Sequence, residues 1–222
     1  MIISGAFGLF HRDTIITVGG YRHDTIGEDM ELAVRLHQYL RGQGNRYRIT
    51  FVPDPICWTE APETFRTLQS QRIRWQRGLR ESLWAHRGML FARNAGTGGW
   101  LAFPFLLLFK ALSPIVEIFE YLFVLAGFVL GFLSTSAMAA FLMVAIVFGV
   151  LLSVSALLLE ELSFHVYPTP KHLVVPFVAA VAENLVFRQL NTVWKLIGIY
   201  QWARGGRAKW GEMVRTASWP SE

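Results

Sequence analysis

The stretch Gln71-Arg72-Ile73-Arg74-Trp75 lies in a segment, residues 64–91, whose pattern predicts one long helix. Within such a helix Gln71, Arg74 and Trp75 occupy positions i, i+3 and i+4, which share one face. A guanidinium binds phosphate oxygens through parallel donors, an indole stacks on the apolar face of a sugar ring, and an amide bonds to hydroxyl groups. This face therefore suits a phosphorylated sugar.

A pair of adjacent carboxylates, Glu28-Asp29, precedes this stretch, and long apolar segments follow it. The Glu-Asp pair, the Gln-x-x-Arg-Trp motif and the apolar segments together resemble the C-terminal half of processive, membrane-embedded family 2 glycosyltransferases. These enzymes are the synthases of cellulose, chitin, hyaluronan and poly-N-acetylglucosamine. The resemblance implies an α/β fold, namely the C-terminal part of a nucleotide-diphospho-sugar transferase (GT-A) domain, followed by an α-helical transmembrane bundle.

Inverting glycosyl transfer needs a base that takes a proton from the acceptor hydroxyl and a positive group that stabilises the departing nucleoside diphosphate. By the resemblance, Asp29 is the general base within a catalytic Glu28-Asp29 pair, although Gly27 stands where the family has threonine. The simpler explanation is that Glu28 and Asp29 favour a helix N-terminus through the helix dipole. The presence of both motifs in one chain favours the catalytic interpretation.

The resemblance assigns Gln71, Arg74 and Trp75 to substrate binding, with Arg74 on the diphosphate. Trp75 also fits an aromatic residue at the membrane interface, because apolar segments follow it. The other arginines of this helix fit a solvated basic face, and they are Arg72, Arg77 and Arg80.

Ser4 and Gly5 resemble the small-residue loop that contacts the acceptor end of the growing polymer in these enzymes. Glycine at this place lets the backbone approach a sugar closely. A glycine in a predicted strand more often marks a bulge, so both interpretations of Gly5 stay open.

The local pattern predicts a mixture of short helices and strands before the long helix. Strands are expected at 2–10 and 47–52, and helices at 12–18 and 29–40. Thr64 is the expected N-cap of the helix that carries the Gln-x-x-Arg-Trp motif.

The composition divides the chain into a polar and an apolar part. Hydrophobic residues make up 53% and charged residues 17%, and residues 121–159 hold no charge. We therefore expect three regions: a cytoplasmic part of the glycosyltransferase domain at 1–99, an interfacial helix with two or three transmembrane helices at 100–203, and a basic tail at 204–222. The net charge of +5 is modest, and no nucleic-acid partner is expected.

The apolar part predicts a multi-pass protein of the plasma (inner) membrane, with residues 1–99 in the cytoplasm. Residues 100–113 fit an interfacial helix, and 114–133 and 137–159 are each long enough to cross about 30 Å of hydrocarbon. A third crossing at 173–200 is less clear, because it would export a basic tail against the positive-inside rule. The side of the C-terminus therefore stays open.

The resemblance covers only the second half of such an enzyme. The family's Asp-x-Asp motif, which holds Mg²⁺ or Mn²⁺, does not occur in this sequence, and the histidines show no metal-ligand spacing. We therefore expect no metal site in this chain, which is interpreted as a fragment or as one part of a split enzyme, inactive in isolation. The expected partners are a nucleotide-sugar donor (UDP-linked), a polysaccharide acceptor, the lipid bilayer and the missing N-terminal half.

A different class of function remains open, namely a non-enzymatic membrane transporter or an assembly subunit with a cytoplasmic interaction head. Carboxylates near or inside the apolar segments would suit it, and they are Glu117, Glu120 and Glu183. The same carboxylates could line a polysaccharide channel, or Glu183 could pair with Arg188. His11, His23 and His86 are expected on the surface.

Overall fold

The computed structural model describes residues 5, 7–50, 52, 57, 59–164 and 169–205, and every regular element in this part of the chain is helical. Its main elements are α1 (Arg12–Thr17), α2 (Glu28–Gly42), α3 (Phe65–Ala85), α4 (Gly98–Val129), α5 (Thr135–Phe164) and α6 (Lys171–Ala203). Short 3-10 turns at Arg87–Met89 and Arg93–Ala95 lie between α3 and α4.

The expected α/β fold is wrong, because the described residues contain no strand and no sheet. Residues 47–50 and 52, predicted as a strand, form no regular element, and neither do residues 7–10; positions 2–4 and 6 of the other predicted strand lie outside the described residues. A strand is stable only where a neighbouring strand pairs with its N–H and C=O groups. Here the Tyr47 side chain instead lies on α2, with its hydroxyl 2.5 Å from His37 Nδ1.

The chain forms two compact units, Met1–Pro114 with Trp194–Glu222, and Ile115–Val193. The core of the first unit joins α2, α3, the turns that follow α3, and the first part of α4. Apolar residues at helical spacing on α2 and α3 face one another in it. This core consists of Met30, Val34, Leu79, Leu83, Met89, Ala95, Phe103, Leu106 and Ala111.

The helix that carries the Gln-x-x-Arg-Trp motif begins as expected. The Thr64 hydroxyl accepts a hydrogen bond from the Thr67 N–H at 3.2 Å, so the predicted N-cap is confirmed. The helix ends at Ala85 instead of 91, since the chain turns at Gly88 and adopts a left-handed conformation at Phe91 (φ 55°). The Phe91 N–H then donates to the Gly99 carbonyl at 3.2 Å, which returns the chain to the start of α4.

Two glycines bring α2 and α3 into direct backbone contact. A Cβ built on Gly78 would lie 2.9 Å from both the Cα and the N of Gly27, and one built on Gly27 would lie 3.1 Å from the Gly78 Cα. Glycine inside a helix costs about 1 kcal/mol relative to alanine, so Gly78 is unfavourable for α3 alone. Its packing against Gly27, at the N-terminus of α2, is the reason for its presence.

Two hydrogen bonds also join α3 to the first part of α4, where the apolar region begins. Gln76 Nε2 donates to the Ala111 carbonyl at 3.2 Å, and Arg80 Nη2 donates to the same oxygen at 2.7 Å. Ala111 lies in a π-helical segment, Leu107–Leu112, where the normal i→i−4 hydrogen bonds are displaced. Arg80 is therefore a half-buried side chain that ties α3 to α4, and its interpretation as part of a solvated face is wrong. Partial burial lowers the pKa of its guanidinium.

The last part of α6 packs along α3 within the first unit. Trp194, Gly198 and Trp202 lie at i, i+4 and i+8 and so share one stripe of α6. Trp194 makes an edge contact with Phe65 and Trp202 with Trp84, with ring centroids 4.9 and 5.7 Å apart. Between them, a Cβ on Gly198 would lie 2.7 Å from the Ile73 carbonyl, so glycine is needed for this close approach.

Within the described part of the chain, three helices are long and apolar enough to cross a membrane, and they are α4, α5 and α6. The predicted interfacial segment 100–113 and the predicted crossing that follows it form one continuous helix, α4. Most large apolar side chains of the second unit are exposed in the isolated chain, as expected for helices that face lipid.

Polar side chains link the helices of the second unit. Glu117 accepts hydrogen bonds from Tyr121 at 2.8 Å, from Thr192 at 2.7 Å and from Arg188 at 3.2 Å. Glu183 instead accepts from Ser153 at 2.8 Å. Arg188 thus pairs with Glu117, and the Glu183–Arg188 pair, one of the two alternatives left open, is not formed among the described residues. Within apolar surroundings such partners offset the cost of burying charge.

The close contact of the two glycines predicts that Gly78→Ala destabilises the protein. In a helix without this contact, alanine in place of glycine would stabilise the fold by about 1 kcal/mol. Here the added methyl group would press on the Gly27 backbone, which should cost about 1–3 kcal/mol of folding free energy. Thermal unfolding of the detergent-solubilised protein, followed by tryptophan fluorescence, measures the difference. Gly42→Ala is the control, because nothing lies within 4 Å of that Cβ position on α2. Equal melting temperatures for the two variants would contradict the proposed packing.

Candidate active site at the contact of two helices

The carboxylate pair lies in the first turn of α2. Glu28 and Asp29 are half-buried there, and Asp29 Oδ1 accepts a hydrogen bond from the Met30 N–H at 2.7 Å. This position agrees with the helix-dipole explanation. The structure therefore places the pair at the helix N-terminus that the sequence predicts.

Gly5 lies directly against this pair. A Cβ built on Gly5 would overlap the Asp29 carboxylate, with Asp29 Cγ only 3.1 Å away. Any side chain at this position would displace the carboxylate, so the close approach requires glycine. The structure thus brings two of the predicted site residues together; Ser4 lies outside the described residues.

The Gln-x-x-Arg-Trp helix presents a second part of the site on the stripe that touches α2. Gln71, Arg74, Gly78 and Glu81 lie at i, i+3, i+7 and i+10 of α3, which is one face of the helix. Gly78 contacts Gly27 directly. Arg74 precedes Gly78 by one turn, or about 6 Å along the axis at 1.5 Å per residue.

Glu81 fixes the loop that leads to the carboxylate pair. Its Oε2 accepts from the Thr25 hydroxyl and the Ile26 N–H, both at 3.0 Å, while its Oε1 accepts from Arg77 Nε at 2.8 Å. The loop therefore runs along α3 from Glu81 to Gly78, in the direction of Arg74. The start of α2, with Glu28 and Asp29, therefore lies at the level of Gly78, and the next turn of α2 reaches His86 through Glu31.

Arg77 and Arg72 are not the solvated cations that the sequence suggested. The Arg77 side chain is 11% exposed and forms an ion pair with Glu81. Arg72 places its guanidinium carbon 4.8 Å from the centroid of the Trp75 ring, a cation–π contact. Trp75 is itself 58% exposed, as either a sugar-stacking or a membrane-interface residue would be.

A buried polar network behind the site was missed by the sequence analysis. His86, expected on the surface, is buried, with Nε2 2.9 Å from Glu31 Oε1 and Nδ1 2.7 Å from Gln38 Oε1. Glu31 also accepts from Arg35 at 2.9 Å. The spacing of His86 from Leu79 and Leu83 on the core face of α3 was the signal that could have revealed its burial.

The described residues do not form a complete site for a divalent metal ion. No group of three or more His, Cys, Asp or Glu side chains able to hold a metal occurs among them. Glu28 and Asp29 alone offer too few oxygens for Mg²⁺, which prefers an octahedral shell. An ion used in catalysis would need ligands from outside this part of the chain.

Comparison with known proteins agrees with the family that the Glu-Asp pair and the Gln-x-x-Arg-Trp motif indicate. A stretch of 81 residues is 42% identical to poly-beta-1,6-N-acetyl-D-glucosamine synthase of Staphylococcus aureus (strain COL), and it covers 36% of this chain and 18% of that protein. The synthase of the same name from Staphylococcus epidermidis (strain ATCC 35984) is 37% identical over the same length, with the same coverage. The alignment thus spans less than a fifth of the curated relatives.

No solved structure matches the chain significantly. The family model described as glycosyl transferase family group 2 matches residues 1–152, which is more than half of the sequence. The chain therefore belongs to glycosyl transferase family group 2.

Proposed function

We propose that the chain carries the acceptor side of a polysaccharide synthase, which transfers a sugar from a nucleotide-diphospho-sugar to a growing polymer with inversion. The observation that supports the proposal is the Gly27–Gly78 contact, which joins the N-terminus of α2, where Glu28 and Asp29 lie, to the α3 face on which Gln71 and Arg74 precede Gly78. Family membership favours this over a non-enzymatic transporter or assembly subunit. Because the relatives are named for poly-N-acetylglucosamine, UDP-N-acetylglucosamine is the first donor to test.

In this proposal Asp29 is the general base. It takes the proton of the acceptor hydroxyl while that oxygen forms the new bond to the anomeric carbon. The bond from that carbon to the nucleoside diphosphate breaks at the same time, and the diphosphate leaves from the opposite side, so the configuration inverts. Glu28 lies next to Asp29, and Gly5 lets the acceptor loop lie against the carboxylate.

The α3 stripe would hold the two substrates. Arg74 offers parallel donors to the diphosphate, and Gln71, one turn before it, can bond to a sugar hydroxyl. Trp75 would provide the stacking surface for the acceptor sugar, and Ser4 and Gly5 would contact the acceptor end of the polymer. The cation–π contact of Arg72 would hold the indole ring in place.

Part of the donor site would come from residues outside this chain. The sequence contains no Asp-x-Asp, and the curated relatives are much longer than the aligned stretch. We therefore propose that the isolated chain is inactive and that a complementary part, carrying the nucleotide and metal ligands, completes the enzyme.

The membrane part would anchor the enzyme and export the polymer. Hydrophilic sugars cannot cross hydrocarbon without a protein-lined path. The bonds from Gln76 and Arg80 to Ala111 tie the motif helix to α4, which supports a site that feeds directly into the membrane region. On this proposal residues 1–99 are cytoplasmic, residues 100–203 lie in the plasma membrane and 204–222 form the tail.

Asp29→Asn tests the proposed base in the complete synthase. It should lower turnover by roughly 10²–10⁴-fold and leave donor binding nearly unchanged, because the amide keeps the shape but cannot accept the proton. Radiolabelled sugar incorporation measures turnover. Asp13→Asn, in the exposed helix α1, is the control. Near-normal polymer synthesis by Asp29→Asn would refute the assignment.

Arg74→Lys tests the proposed diphosphate contact. Lysine keeps the charge but loses the parallel donors, so inhibition by free UDP should weaken by roughly tenfold. Arg66→Lys is the matched control, because Arg66 lies exposed on the same helix. Equal inhibition constants for both variants would mean that Arg74 acts only as part of a basic surface.

Trp75→Ala tests the stacking surface. Loss of a stacked sugar contact should shorten the polymer or abolish it, while donor hydrolysis continues because water needs no such platform. Trp75→Phe should restore part of the polymer length, which gel analysis of the product measures. Full-length polymer from Trp75→Ala would leave the membrane-interface role as the explanation.

A further inference from the structure

A cavity of about 520 Å³ lies in the first unit, away from the contact of Gly27 with Gly78. One wall comes from the C-terminal half of α2 and the residues after it, with His37, Arg41 and Tyr47. The opposite wall is the start of α4, where Leu101 and Phe105 lie. The volume is in the range of small-molecule sites, and the lining combines an apolar wall with a few polar groups.

The α2 wall supplies a cation and hydrogen-bond donors. Arg41 is exposed, contacts the Tyr47 ring from 5.4 Å, and pairs with no carboxylate among the described residues. His37 Nδ1 contacts the Tyr47 hydroxyl, whereas its Nε2 is enclosed without a hydrogen-bond partner in the described part of the chain. When tyrosine donates to Nδ1, the ring proton lies on Nε2, which is then a donor that lacks an acceptor.

The N-terminus of α4, which carries the positive end of the helix dipole, also lines the cavity. Thr97 and Gly98 line the cavity, α4 begins at Gly98, and the Thr97 side chain makes no capping hydrogen bond. The first N–H groups of a helix have no intrahelical acceptors, and together with the helix dipole they favour an anion. Two features of different origin, the Arg41 guanidinium and the α4 N-terminus, thus favour a negative group in this cavity.

The apolar wall shows which kind of anion fits. Leu101 and Phe105 are 72% and 51% exposed, and they are continuous with the exposed apolar side of α4, a candidate membrane span. A free phosphate would leave this wall in water. An amphipathic anion would cover it with a hydrocarbon chain.

We propose that this cavity binds an anionic phospholipid, with its phosphate between Arg41 and the α4 N-terminus and one acyl chain along Leu101 and Phe105. The site differs from the sugar site, and its occupancy needs no catalysis. A bound lipid here would fix the start of α4 against α2.

The test uses the 222-residue chain in nanodiscs of phosphatidylcholine with or without phosphatidylglycerol. Native mass spectrometry counts the lipids retained after release from the disc, and titration gives their affinity. The wild-type chain should retain one phosphatidylglycerol, and Arg41→Ala should lower its affinity by roughly tenfold through the lost charged hydrogen bonds. Arg12→Ala, an exposed arginine of α1, should change nothing.

Two further arms distinguish the source of the anion. Inorganic phosphate should not displace the lipid. Leu101→Ser should weaken lipid binding, and any measured affinity for inorganic phosphate should be the same in this variant and in the wild type. Equal retention by Arg41→Ala and Arg12→Ala, equal retention of phosphatidylcholine, or displacement by phosphate would each overturn the proposal. Circular dichroism of each variant confirms that the fold is intact, and because Arg41 is exposed its replacement leaves the core unchanged.

Discussion

The contact of Gly27 with Gly78 is the constraint on which the proposed site depends. Both residues lack side chains, so the N-terminus of α2 can lie directly on the backbone of α3. The hydrogen bonds of Glu81 to the preceding loop then fix the register of this contact. One pair of glycines thus brings the N-terminus of α2, with Glu28 and Asp29, onto the face of α3 that also carries Gln71 and Arg74.

The motif helix is also held from the membrane side. Gln76 and Arg80 bind the Ala111 carbonyl, and the stripe of Trp194, Gly198 and Trp202 packs along the helix. Because a carbonyl in a π-helical segment is released from the regular ladder, it can accept bonds from another helix. Any shift of the first part of α4 would therefore act on the helix that carries Arg74.

The sequence predicted those features that depend on local spacing. The periodicity of α2 and α3, the Thr64 cap, the N-terminal position of Glu28-Asp29 and the apolar helices all follow from neighbouring residues. The predicted strands at 2–10 and 47–52 did not, because strand formation depends on a partner strand that local pattern cannot reveal. The family resemblance led to the same error, since it implied a sheet that the described residues do not contain.

Charged residues were the other source of error. Arg77 and Arg80 were interpreted as a solvated face and His86 as a surface residue. In the structure Arg77 pairs with Glu81 one turn along the same helix, and Arg80 and His86 are held by partners distant in sequence. Gly27 was interpreted only as a departure from the family's threonine, whereas in the structure it packs directly against Gly78. The partners of Arg80, His86 and Gly27 depend on which segment lies opposite, and the spacing of residues within one helix does not identify that segment.

A cryo-EM structure of the complete synthase with bound nucleoside diphosphate tests the central claim most directly. The account predicts that the Gly27 and Gly78 backbones stay in van der Waals contact, that the diphosphate lies against Arg74, and that Asp29 faces the same cavity. A diphosphate bound away from Arg74, or Asp29 and Arg74 lining separate cavities, would contradict it.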